Sequence, residues 1–427
     1  MANEEVVVDW EPLPAPQQER NSNNGQLLLK FFASVLLVGF CYHVVFADFI
    51  PWKPNSTKAA CTLFLGEWIP DNSGPGYTNE TCNFIEPYQN CMRNGRPDTG
   101  YLYWRWKPKN CDLRPFDADK FLNAMRNKSW AFIGDSIFRN HIQSLICLLS
   151  KIEEPLEIYH DSNFKTRTWY YSSYNFTLAV IWAPFLVHYD IFGNNGALSK
   201  TNIRLHLDVL DTKWTMEYHK YDYIVISGGQ WFYKSAIMWE NNEVIGCHNC
   251  PEGNVKELGV AEPYRKVLRL ALQFITANDH KPFVIFRTWT PDHFEYGEWY
   301  NGGVCNRTQP YKEGEFNGDP TDHSMRNVEI EEFEKAAEIG VKKGMKMQLL
   351  DTYHLSLLRP DGHPGPYRTF PPIDADKAKN VQNDCLHWCL PGPIDTWNEL
   401  LMKMVINEDG DHRGCIVLKD EAHLLHS

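Results

Sequence analysis

From Trp130 onward the chain repeats one pattern: a short apolar run, a loop, then a stretch whose apolar residues recur at helical spacing. Nothing else in the sequence restricts the fold as strongly, because strands alternating with amphipathic helices imply an α/β sandwich around a parallel sheet. The runs Trp130 to Ile133, Thr177 to Trp182, Tyr223 to Ser227, Pro282 to Phe286 and Met347 to Leu350 read as strands. Ile137, Leu145, Ile146 and Leu149 mark a helical face just after the first strand, and Pro263 to Phe274 and Val328 to Lys343 read as later helices. In open sheets of this kind ligands bind beyond the carboxyl ends of the strands, so chemistry is expected there.

Upstream the pattern is different. Residues 61–126 are rich in Cys, Gly, Pro, Asn and aromatics, as in GEWIPDNSGPGYTNETC and YLYWRWKPKNC, and read as a disulfide-held lobe before an α/β domain over 127–427. Leu27 to Ile50 is apolar except for Lys30, His43 and Asp48, long enough for one transmembrane helix. The arm before it is acidic, with Glu4, Glu5, Asp9, Glu11 and Glu19, which favours a retained anchor over a cleaved signal. The expected order is therefore a cytosolic tail (1–26), the anchor (27–50), a short stem (51–60), the lobe and the α/β domain. Five N-x-S/T acceptors, at Asn55, Asn79, Asn127, Asn175 and Asn306, follow the span, as do eleven of the twelve cysteines. Both signals place that side in an oxidising lumen.

A net charge of −12 argues against a nucleic-acid partner, since phosphate binding needs clustered Lys and Arg. Cys247-His248-Asn249-Cys250 lacks the second ligand pair that a structural zinc site needs, so no metal is expected and a local disulfide is preferred.

Immediately after the first strand stands Gly134-Asp135-Ser136. A serine at a strand-to-helix turn has its hydroxyl at the sheet edge, where helix-start amides can face a developing oxyanion. Serine needs a base, and the base needs a carboxylate to fix its tautomer. Asp384 and His387 supply both from one loop, with Cys385 and Cys389 flanking the histidine. Asp292-His293, Asp322-His323 and Asp361-Gly362-His363 compete for the role; the adjacent pairs are poorer relays, and the last lies in a Gly/Pro loop. Gly228 and Gly229, after the third strand, allow close backbone approach and are oxyanion-hole candidates.

The chain resembles the trichome birefringence-like family of plants, within the wider Gly-Asp-Ser-Leu/SGNH esterase superfamily. The likeness covers essentially everything after Cys61 and is carried by CTLFLGEWIPD, YQNCMRNGRPDTGYLYWRWKPKNCDLRPFD, FIGDSIFRNHIQSL, RTWTPDHFEYGEWYNGGVCN, LLDTYHLSLLRPDGHPGPY and DCLHWCLPGPIDTWNELL, in that order. It implies an SGNH-like three-layer sandwich in a type II, single-pass Golgi membrane protein that acetylates wall polysaccharide. By position it makes Ser136 the nucleophile, His387 the base and Asp384 its orienter. Arg139 and Asn140 become candidates for the oxyanion hole or its support, beside Gly134 and Asp135, which the serine turn itself offers. It also implies disulfides Cys61 to Cys111, Cys82 to Cys147, Cys91 to Cys389 and Cys305 to Cys385. The generic Gly-x-Asn-Asp block of SGNH hydrolases is missing.

The expected reaction passes an acetyl group from a donor, acetyl-CoA by default, through an acetyl-serine to a sugar hydroxyl, with no bound cofactor. Xyloglucan is preferred as acceptor on a likeness around GGQWF and GCHNC, with xylan, mannan and pectin as alternatives. A polysaccharide acetylesterase and a non-catalytic polysaccharide binder are the rival readings.

Overall fold

The computed structural model describes residues 61–192, 202–249, 255–370 and 381–406. The tail, anchor and stem expected over 1–60, with Asn55, and Cys250 lie outside them; no helix among the described residues is long and apolar enough to cross a membrane.

The first part of the chain forms β1 (Thr62–Pro70), β2 (Trp104–Lys109), α1 (Ala118–Ala124), β3 (Ser129–Gly134) and α2 (Ser136–Leu149). There follow β4 (Leu156–His160), β5 (Arg167–Tyr171), β6 (Phe176–Trp182), β7 (Val187–Phe192), β8 (Asn202–Leu210), α3 (Thr212–Thr215) and β9 (Tyr223–Ile226). The last part holds β10 (Ala236–Glu240), β11 (Glu243–His248), α4 (Ala261–Ala277), β12 (Phe283–Arg287), α5 (Pro320–Lys342), β13 (Met347–Leu350), α6 (Tyr353–Leu357) and α7 (Asp395–Val405).

The main sheet has seven strands in the order β13-β12-β9-β3-β6-β5-β4. The five strands read from the sequence are its parallel part, β3, β6, β9, β12 and β13. The sheet is mixed rather than wholly parallel, because β5 and β4 extend it antiparallel beyond β6. Successive residues of a strand point to opposite faces, and both faces here are covered. Trp130 and Phe132 of β3 join a cluster with Ile142 and Leu145 of α2 and Leu400 of α7. Ala131 and Ile133 join a second cluster with Val267 of α4 and Val328 of α5. That alternation makes three layers, helix on sheet on helix, and explains why the runs are apolar throughout.

From β3 the chain moves to β6 on one side and later to β9 on the other, so β3 lies where the strand order reverses. A crevice opens at such a point beyond the carboxyl ends of the strands.

Residues 61–126 pack into the same core as the α/β body. Leu63, Trp68 and Trp106 belong to the cluster that holds α2 and α7, and Trp68 Nε1 donates to the Leu355 carbonyl at 2.8 Å. All four disulfides implied by the resemblance are present: Cys61–Cys111, Cys82–Cys147, Cys91–Cys389 and Cys305–Cys385. Two of them, Cys82–Cys147 and Cys91–Cys389, tie this segment to α2 and to the loop of His387. Cys247 is also disulfide-bonded. A second sheet, β11-β10-β8-β7, was not foreseen from the sequence. Of the glycosylation candidates, Asn127, Asn175 and Asn306 are exposed and Asn79 is half-buried.

Candidate active site

β3 ends at Gly134, and α2 begins at Ser136. A Cβ at Gly134 would stand 2.6 Å from the Phe138 ring and 2.6 Å from the Ser227 carbonyl oxygen, so only glycine passes here. Asp135 is the helix cap: its buried carboxylate accepts from the Ile137 amide at 3.0 Å. Burial raises the Asp135 pKa, against the opposing pull of the buried Arg287 guanidinium. Ser136, the first residue of the helix, is thus left with its hydroxyl uncommitted to capping, beside the amides at the positive end of the helix dipole.

The partner loop is built around Asp384. His387 Nδ1 lies 2.9 Å from Asp384 Oδ2 and 3.2 Å from Oδ1. Asp384 Oδ1 also accepts from the backbone amides of Leu386 at 3.2 Å and His387 at 3.0 Å. Burial alone would push this carboxyl up, but the His387 imidazole, its hydrogen bonds and Arg368 at 3.7 Å hold it well below the usual carboxylate range. Asp384 is therefore charged at any working pH, and with Nδ1 of His387 engaged by the carboxylate, Nε2 is the ring nitrogen left for proton transfer.

The loop is pinned on several sides. Asn140, one helical turn after Ser136, accepts from the Trp388 amide at 2.7 Å and donates to the Trp388 carbonyl at 3.2 Å. The His387 carbonyl lies 2.7 Å from His363 Nδ1, whose other ring nitrogen is 2.7 Å from His293 Nδ1. Leu390 N donates to the Gln89 carbonyl at 2.9 Å, and the Cys91–Cys389 and Cys305–Cys385 bridges fix both flanks. Replacing Asn140 with alanine orphans two buried backbone groups and should cost about 1–3 kcal/mol of stability. The loosened base should lower kcat by roughly 10- to 100-fold. Thermal melts and a kcat-against-KM split check this; an unchanged kcat would show that Asn140 does not position the base.

Ser136, Asp384 and His387 line one cleft of about 170 Å³ with Arg139, Arg368, Glu86, Tyr88 and Gln89. Arg139 is held by Glu86 at 2.6 Å. Of the supporting candidates, then, Gly134 and Asp135 shape the serine turn, Arg139 faces the cleft and Asn140 holds the base loop. Gly228 and Gly229 are not among the residues that line it. Gly229, at φ +109°, instead packs where a Cβ would meet the Trp289 ring at 2.7 Å.

The rival pairs are engaged elsewhere. His293 is buried between His363 and the Leu357 carbonyl, and burial pushes its pKa down to about 4. Asp322 accepts from Trp289 Nε1 at 2.8 Å, and Asp361 is paired with buried Arg359 at 2.8 Å. Sequence reasoning missed Glu86, Tyr88, Gln89 and Arg368. The Cys91–Cys389 pairing was the available signal, because it obliges residues just before Cys91 to lie beside His387.

Behind the Gly228 turn, Tyr264 Oη is 3.0 Å from the Gly228 carbonyl oxygen and 2.6 Å from Glu329 Oε1. One phenolic hydrogen serves one acceptor, and a protonated Glu329 supplies the other. Burial indeed pushes Glu329 up to about 8, while Trp289 N donates to its Oε2 at 2.5 Å. An acid whose folded pKa is raised gives stability that is fully present below its unfolded pKa and is lost as pH rises through the folded value. Thermal stability should therefore decline between about pH 4.5 and pH 8, by an amount on the order of a few kcal/mol. Glu329→Gln mimics the protonated acid and should flatten that decline in melts recorded across the range; an unaltered slope would show that another group causes it.

Two protein-family models match the chain. Residues 59–112 match the PMR5 N-terminal domain, and residues 113–404 match the GDSL/SGNH-like acyl-esterase family found in Pmr5 and Cas1p. The chain is 52% identical to protein trichome birefringence-like 26 of Arabidopsis thaliana, over 89% of this chain and 87% of that protein. The chain belongs to the trichome birefringence-like family. Trichome birefringence-like 25 of the same plant is 54% identical over 84% of this chain and 79% of its own length. Xyloglucan O-acetyltransferase 4 of Populus trichocarpa is 43% identical over 83% of each chain.

Proposed function

We propose that this trichome birefringence-like protein transfers acetyl groups to hydroxyls of plant cell-wall polysaccharide, with Ser136, His387 and Asp384 as its catalytic triad. The observation that carries the reading is the shared cleft: a histidine oriented by a buried carboxylate lines the same small crevice as the serine that opens α2.

In the first step Ser136 Oγ attacks the acetyl carbonyl as His387 Nε2 takes its proton. The tetrahedral oxyanion collapses, the bond to the carrier breaks, and His387 returns the proton to the leaving group. In the second step an acceptor hydroxyl gives its proton to His387 and attacks the acetyl-serine. The new ester forms, and Ser136 Oγ departs with the proton. Backbone amides at the start of α2 that are not taken up by the Asp135 cap serve as donors for both oxyanions, and such donors are typically worth about 3 kcal/mol each.

Relatives named xyloglucan O-acetyltransferases support transfer over hydrolysis and favour xyloglucan as acceptor. The apolar segment Leu27 to Ile50, and the sequons and disulfides beyond it, support a type II Golgi anchor with the catalytic body in the lumen. Incubating the protein with radiolabelled acetyl-CoA and a panel of deacetylated xyloglucan, xylan, mannan and pectin oligosaccharides tests the reading. Labelled xyloglucan is expected. Free acetate alone, whichever acceptor is present, would mark an esterase.

A further inference from the structure

Near the serine turn, the carboxyl edge of the sheet carries lysines that form no close ion pair among the described residues, Asp161 and Asp211 acting on Lys165 and Lys213 only at longer range. Trp182 ends β6 opposite Gly134, two residues from Ser136, and as a residue is only 5% exposed. Lys165 Nζ sits 4.8 Å from that ring, and Trp231 packs edge-on against it at 5.3 Å. Lys234 Nζ lies 4.9 Å from the Trp231 ring and 5.0 Å from Trp299, and Lys213 Nζ is 5.6 Å from Tyr189. Lys165 and Lys234 are half-buried, and among the described residues none of the three ammonium groups pairs with a carboxylate. Elsewhere in the fold Lys220, Lys266 and Lys335 each have one.

Such an arrangement costs free energy, since ammonium groups withdrawn from water need an opposite charge. Burial lowers the pKa of Lys165 and of Lys234, and at Lys165 Arg139 and Lys213 add repulsion that Asp161 only partly offsets. The aromatic rings do not offer a sugar platform, because Trp182 is buried and the lysines lie over the indole rings. A neutral polysaccharide acceptor brings no charge to this place.

We infer that Lys165 and Lys234, with Arg139 and Lys213 beside them, bind the phosphate groups of a phosphorylated acetyl carrier and so form the donor half of the site. The inference rests on the acetyl-transfer reading. It explains why cations gather at the sheet edge from which the serine turn leaves, in a chain of net charge −12. Two or more phosphates would be met by several ammonium groups, and their release with the carrier would clear the cleft for the acceptor.

Binding can be measured without catalysis. Adenosine 3′,5′-bisphosphate, the nucleotide end of coenzyme A, is titrated by calorimetry into the full-length Ser136→Ala protein in detergent. Binding that weakens at least about tenfold in a Lys165→Gln/Lys234→Gln background, and weakens with added salt, is the expected result. In the wild-type protein the same double substitution should reduce the preference for acetyl-CoA over uncharged p-nitrophenyl acetate by about tenfold. No bisphosphate binding, binding indifferent to the two lysines, or an equal effect on both donors would overturn the inference. Binding of polygalacturonate that the two lysine substitutions abolish, where the bisphosphate fails to bind, would also overturn it and assign the cations to an acidic acceptor. A failure to form acetyl-Ser136 from either donor would count against the acetyl-serine reading and leave the calorimetric result intact.

Discussion

Ser136→Ala should lower acetyl transfer by on the order of a millionfold, with no acetyl-enzyme formed, while the protein folds and melts as before. The size of the effect follows from covalent catalysis: without the hydroxyl neither half-reaction has its nucleophile or leaving group, and only binding and oxyanion donors remain. Folding should survive because α2 is capped by Asp135, not by the serine. His387→Ala should do the same damage, and the double variant should be little worse than either single one, since the two side chains act as a unit. Rates with acetyl-CoA and acceptor, alongside thermal melts, check this. Additive losses in the double variant would show that serine and histidine act independently.

Asp384→Asn is the second large effect, roughly 10⁴-fold in kcat. The asparagine oxygen can keep the hydrogen bonds from the Leu386 and His387 amides, so the loop should hold its shape. Its amide group, however, donates toward Nδ1 and drives the imidazole proton onto Nε2, where a base must be bare. A kcat profile from acid to alkaline pH, with melts as a control, measures this. Equal losses of stability and activity would mean that Asp384 only supports the loop.

The legible parts of this fold are those with a strong local signal. β3 (WAFI within it) and β12 are continuous apolar runs because helices cover both faces, and a run of that kind needs no partner to be recognised. β4, with the sequence LEIYH, is exposed along its whole length and owes its pairing to β5. β8 alternates instead, with Ile203, Leu205 and Leu207 buried, the pattern of a second sheet that a search for continuous runs passes over.

The site divides in the same way. Gly134-Asp135-Ser136 and Asp384-x-x-His387 are short motifs whose chemistry can be argued from residue types alone. Asn140 was readable as a support candidate, but its two bonds to Trp388 span 248 residues and belong to the folded chain. The wall formed by Glu86, Tyr88 and Gln89 is likewise long-range, brought to His387 by a disulfide that closes a separation of 298 residues. Lys165, Lys213 and Lys234 carry no motif. Their meaning comes from their places against Trp182, Trp231 and Tyr189 with no close ion pair among the described residues, which only three dimensions reveal.

The most direct test of the central claim is to catch the acetyl group in transit. The full-length protein is mixed with isotopically labelled acetyl donor in the absence of acceptor, quenched in acid, digested and mapped by mass spectrometry. A single acetyl group on Ser136, absent from the His387→Ala variant and chased onto oligosaccharide when acceptor is added, is the predicted result. Continued transfer to acceptor with Ser136 never acetylated would contradict it.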